Sequence, residues 1–154
     1  MTEMTRAQIV ARARKLIGVR FRPQGRDPQH GLDCIGVAMM AMRVPKHKVR
    51  NDYIVPSSAT AEEMNRDIAA LGFIRISPAV ATAGDMLLVR PGPAALHLVI
   101  LTGDGYLHAD MRRRRTVEVP GAVPWPTVSA WRHAADAAED PLASELVGPS
   151  KALH

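Results

Sequence analysis

An α+β domain built on an antiparallel sheet is predicted by three features of this 154-residue chain. Its first half carries helix signals, with capping residues set ahead of apolar periodicity. After Gly72 the pattern changes to short apolar runs bounded by turn residues, the mark of strands. Two of those runs are joined by TGDG (102–105), a hairpin signal. Helices first and a meander of strands after them is the order of an α+β fold.

The elements follow in turn. TRAQIVARARKLIG (5–18) reads as a first helix. Thr5 and Gln8 form a capping box, Ile9, Ala13, Leu16 and Ile17 are expected on one face, and Gly18 is a stop. VRFRPQGRDPQHGL (19–32) is rich in Pro, Gly and charge and reads as a loop. Asp33 is the expected N-cap of a second helix, which puts Cys34 in its first turn. Apolar residues crowd several faces of that helix, so it is buried, and Pro45 ends it. VPKHKVRNDYIVPSSA (44–59) is a connection without periodicity. Thr60 and Glu63 then cap a third helix whose Met64, Ile68 and Leu71 line one face up to Gly72. The strands expected beyond it are FIRIS (73–77), DMLLVR (85–90), LHLVILTG (96–103), GYLHA (105–109), RTVEV (115–119) and TVSAWRHA (127–134). One domain spans 1–135, and an Ala-rich, weakly patterned tail fills 136–154.

Composition narrows the class. Hydrophobic residues make up 47% and charged residues 23%, ordinary values for a globular protein. One cysteine excludes an internal disulfide framework. No apolar stretch is long enough for a membrane span, so membrane insertion is not expected. The N-terminus lacks the apolar core of a signal peptide, which points to synthesis in the cytoplasm. A net charge of +5 favours anionic partners. Nucleic acid is not expected among them, because six aromatic residues in all (two each of Trp, Tyr and Phe) leave few stacking platforms. The run Arg112 to Arg115 reads as a solvated strand end or turn rather than a nucleic-acid site.

The chemistry gathers around Cys34. A lone cysteine is most often a small buried hydrophobe. Here it follows an aspartate at a helix start, where the positive end of the helix lowers a thiol pKa and exposes the sulfur. A thiol nucleophile needs a base and a group that orients the base. His97 and His108 lie on the two strands joined by TGDG, and adjacent antiparallel strands can place two such residues side by side. A zinc site is the weaker alternative, since the chain has no HxxxH or CxxC spacing.

GLDCIGV (31–37), AGDMLLVR (83–90) and LHLVILTGDGYLHA (96–109) together resemble the successive blocks of the NlpC/P60 cysteine peptidases. The resemblance runs from about Ile9 to His108 and weakly on to Trp131. It is similar in kind to short, leaderless members encoded with phage or gene-transfer-agent tail genes. The resemblance implies a papain-like α+β fold, with helices on an antiparallel sheet of about five to six strands. It makes Cys34 the nucleophile, His97 the base and His108 the residue that holds the His97 ring. It assigns the backbone N–H of Cys34 to the oxyanion. The implied substrate is the stem peptide of peptidoglycan, often cut between γ-D-glutamate and a diamino acid, with no metal or cofactor. Phage-like tail proteins are the implied partners, and a phage-like particle or release by lysis the implied route to the wall.

Two positions depart from that pattern. Phe21 stands where the family carries a Tyr that helps bind substrate, and Ile35 stands where Ser is common. Asp33 remains in place to meet a substrate amine as well as to cap its helix. These departures bear on specificity and leave the catalytic set intact. They also motivate a rival reading, a tail-tip assembly protein on the same fold with weak or no hydrolysis; a further alternative is an amidase or acyltransferase acting on a substrate other than the wall. Asp85 matches a family position and reads as support for the turn into its strand.

Overall fold

Thr5 opens the first helix as its sequence promises. In the computed structural model, which describes residues 5–49 and 60–134, its hydroxyl accepts from the Gln8 N–H at 3.2 Å while the Gln8 side chain accepts from the Thr5 N–H at 2.8 Å. Helix α1 (Arg6–Arg14) buries Ile9, Val10 and Ala13. Ile17, expected on the same face, is 47% exposed. The helix ends at Arg14, so the 3.6-residue period no longer governs where Ile17 points. Gly18 then turns the chain at φ +90° and donates its N–H to the Thr116 carbonyl at 2.8 Å.

The segment expected as a loop contains two short strands, β1 (Arg26–Asp27) and β2 (Gly31–Leu32), paired antiparallel. The second delivers the chain directly to Asp33 and α2 (Cys34–Met42). Eight of the nine residues of α2 are buried, which explains its apolar crowding. Pro45 does not itself stop this helix. Arg43 does so two residues earlier, in a left-handed conformation at φ 56°.

Close approach of backbone fixes where α2 begins. A Cβ on Gly36 would overlap the carbonyl oxygen of Gly25. Gly36→Ala is therefore expected to cost about 1–3 kcal/mol through overpacking, read as a lower urea midpoint. A midpoint equal to the wild type's would show that this contact does not fix the helix.

Helix α3 (Ala61–Ala70) is capped by Thr60, whose hydroxyl accepts from the Glu63 N–H and donates to the Glu63 carboxylate, both at 3.1 Å. The strands follow: β3 (Ile74–Ile76), β4 (Met86–Val89), β5 (His97–Leu101), β6 (Gly105–Asp110), β7 (Arg115–Pro120) and β8 (Thr127–Arg132). They form one six-stranded sheet in the order β3-β8-β4-β5-β6-β7. Every pairing in it is antiparallel. The fold class expected from sequence is thus the one found. The final strand inserts between β3 and β4, which a simple meander does not anticipate.

Alternation along the strands divides the core in two. Leu88, Leu98, Ile100 and Leu107 pack with α1 and α2. Leu87, Val89, Val99 and Tyr106 form a second cluster. Asp85 and Arg132, both 0% exposed, are paired within the interior. Asp85 also accepts the Thr82 N–H at 2.8 Å, so its expected support of the turn is present. The predicted tail at 136–154 and most of the 44–59 connection lie outside the described residues.

Candidate active site

Asp33 builds the first part of the site. Its Oδ1 accepts from the Gly36 N–H at 2.9 Å, the cap bond read from sequence. The same carboxylate accepts from Arg26 Nη1 at 2.7 Å and from the Gln24 N–H at 2.9 Å. Asp33 is 5% exposed, so these bonds engage it inside the protein. Its geometry is that of a residue fixing the loop before Cys34, and the substrate-amine role is not part of what that geometry displays.

Cys34 begins α2, whose first-turn N–H groups lack intrahelical acceptors. Cys34 packs with Leu98 in the core, which sets the start of β5 against the start of α2. The thiol is buried rather than exposed. Burial, seconded by the negative charge of Asp33, pushes its pKa up to about 12. The helix end alone would lower this pKa. Desolvation of the thiolate outweighs it, because water is excluded from the sulfur.

The two histidines meet as the hairpin predicts. Ile100 pairs with Leu107 and Leu101 with Tyr106. Carried on, that register makes His97 and His108 diagonal neighbours on one face. His97 Nε2 lies 2.8 Å from His108 Nδ1. The pair has one useful tautomer. If His97 is to take a proton at Nδ1, its Nε2 must carry hydrogen and donate to an unprotonated Nδ1 of His108. Burial, then the nearby His108, depresses the His97 pKa to about 3. Burial lowers that of His108 as well.

Phe21, Cys34, His97 and His108 line a single cleft of about 580 Å³. Phe21 is therefore at the site, without a hydroxyl. Ile35 is not. It lines a different, apolar cavity between α2 and α3, because the turn of the helix carries it away from Cys34. Trp125 is a cleft residue that sequence reading missed. Its ring packs edge-on against His97 at 5.8 Å and lies 5.5 Å from His108. The signal was the PWP triplet at 124–126, where two prolines stiffen a loop around one of only two tryptophans. Tyr106 also reaches the cleft, 5.3 Å from the His108 ring. Among the described residues no group of three His, Cys, Asp or Glu side chains is placed to hold a metal ion.

A thiol, an imidazole and a second imidazole orienting it, all in one cleft, can carry out acyl transfer to sulfur. Solved structures place the fold. The NlpC/p60 domain of the peptidoglycan hydrolase SagA aligns with a TM-score of 0.53 and 27% identity, over 76% of this chain and 90% of that one. NlpC2 from Trichomonas vaginalis aligns with a TM-score of 0.61 and 16% identity, over 86% of this chain and 49% of that one. The peptidoglycan hydrolase RipB from Mycobacterium tuberculosis gives 0.54 and 21%, over 82% of this chain and 63% of that one. The second and third likenesses, under a quarter identical, speak to fold alone. No protein-family model and no curated protein matches the chain. The class this defines is a cysteine hydrolase on a papain-like α+β scaffold. More narrowly, the scaffold is the NlpC/P60 fold.

Proposed function

We propose that this protein is a cysteine peptidase that hydrolyses an amide bond in the stem peptide of peptidoglycan, between γ-D-glutamate and a diamino acid. One observation carries the reading: His97 Nε2 is 2.8 Å from His108 Nδ1, in the cleft that also holds Cys34. The SagA and RipB hydrolases, which share the fold, act on peptidoglycan by name.

The pKa directions set the order of events. Near neutral pH the resting pair is a thiol beside a neutral imidazole, since the first loses its proton only near 12 and the second gains one only near 3. No thiolate–imidazolium pair waits for substrate. The proton passes from Cys34 to His97 as sulfur attacks the amide carbon. His108 Nδ1 accepts from Nε2 of the imidazolium that forms. The Cys34 N–H, in the first turn of α2, donates to the developing oxyanion. His97 returns its proton to the leaving amine, and water then hydrolyses the thioester. A phage-like tail is the proposed carrier, and native protein absent from purified particles overturns that part.

A second reading is favoured by the buried, neutral thiol: an assembly protein that kept the fold and does not turn over. Digestion of purified peptidoglycan by the wild type and by Cys34→Ala separates the two, with products read by mass spectrometry. A new free-amine fragment formed by the wild type alone is expected. Absence of product from both proteins overturns the peptidase.

A further inference from the structure

The arginine run is the solvated strand end and turn expected from sequence, and it is also part of the cleft. Residues 111–114 form the turn between β6 and β7, and Arg112 and Arg113 line the same cleft as Cys34. The segment carrying Phe21 lies against this turn. Its Phe21 N–H donates to the Arg114 carbonyl at 2.8 Å, and Arg20 bridges to Arg115. Of the exposed arginines that this packing gathers around the turn, Arg112 and Arg113 are the two that line the cleft.

The two carboxylates that line the cleft do not balance this charge. Asp33 is buried against Arg26. Asp110 accepts the N–H groups of Arg112 at 2.8 Å and Arg113 at 3.2 Å, folding its own turn, and lies 3.7 Å from Arg113 Nε. The Arg113 side chain is still 65% exposed. A guanidinium offers a planar fork of donors that fits a carboxylate with two parallel bonds.

We infer that the cleft selects a peptide bearing free carboxylates beside the scissile amide, and that Arg112 and Arg113 bind them. This rests on the peptidase reading and names the chemistry of its substrate. Arg112 and Arg113 stand in the turn between β6 and β7, so that turn is the wall of the cleft that meets the substrate carboxylates.

The test uses the full chain and two synthetic peptides. One carries free side carboxylates next to the scissile bond, and the other has the same groups amidated. The wild type is expected to show a KM for the amidated peptide about tenfold higher. Arg112→Gln/Arg113→Gln is expected to raise KM for the acidic peptide by a similar factor, leave kcat within about twofold and lose the discrimination. Arg112→Lys/Arg113→Lys keeps part of it. The discrimination shrinks at high salt, because exposed charges are screened. Calorimetric binding of both peptides to Cys34→Ala reads the same preference without turnover. Cleavage of neither peptide thus strikes the peptidase reading, whereas equal binding of both, or binding of neither, overturns the arginine site.

Discussion

His97→Ala is expected to lower turnover by about a thousandfold or more while leaving the protein folded. Loss of a general base typically costs about 10²–10⁴ in rate. The upper part of that range applies because the Cys34 thiol has no ionised fraction to fall back on at neutral pH, its pKa lying near 12. His108→Ala is expected to cost less, about a hundredfold, since it removes orientation rather than the base itself. His108→Gln keeps an acceptor toward His97 Nε2 and is expected to recover part of the loss. If His108→Ala proves as damaging as His97→Ala, the order of roles is wrong.

The same pair sets the pH profile. A Cys–His pair at ordinary pKa values gives a bell with limbs in the accessible range. Here burial moves His97 from 6.5 down to about 3 and Cys34 from 9.0 up to about 12. The profile of kcat/KM is therefore expected to be level from about pH 5 to 9, and iodoacetamide is expected to label the free protein slowly at pH 7. An acid limb near pH 6.5 or rapid labelling would contradict the buried resting state. Stability follows the same signs. The His97 contribution is complete above 6.5 and is lost as pH falls toward 3. That of Cys34 is complete below 9.0 and is lost as pH rises toward 12.

Much of this arrangement is legible in the amino-acid sequence. The caps at Thr5, Asp33 and Thr60 are local signals, since a side chain bonds a backbone group three residues away, and each is present. Pairing of His97 with His108 follows from one short hairpin, whose turn fixes register. What escapes the sequence depends on contacts between distant segments. Trp125 reaches the histidines from a loop beyond β7. The insertion of β8 beside β4 depends on the whole sheet. The Cys34 pKa runs opposite to expectation because helix position is visible in sequence and desolvation is not. Ile35 lies away from the cleft because adjacency to Cys34 in sequence is not adjacency in space. The arginine run is recognisable as exposed, and exposure does not say what lies next to it.

Asp85→Ala is expected to be strongly destabilising, at about 3–5 kcal/mol. Asp85 Oδ1 accepts from Arg132 Nε at 2.8 Å and Oδ2 from Nη2 at 2.7 Å, with both residues fully buried. Removing the carboxylate leaves a guanidinium charge in the interior without its bidentate counter-ion. The wild-type pair itself contributes far less than this, because burying two charges costs nearly what their attraction returns. Asp85→Leu/Arg132→Met is therefore expected to lie closer to the wild type than either single change, when the variants are compared by urea unfolding. Asp85→Ala costing under about 1 kcal/mol would mean that the interior accommodates the lone charge. The location gives the pair its importance. It joins the start of β4 to the end of β8, and β4 pairs through Val89 with His97. A loosened pair therefore frees the strand against which His97, the proposed base, is registered, and turnover should fall in the fraction of protein that remains folded.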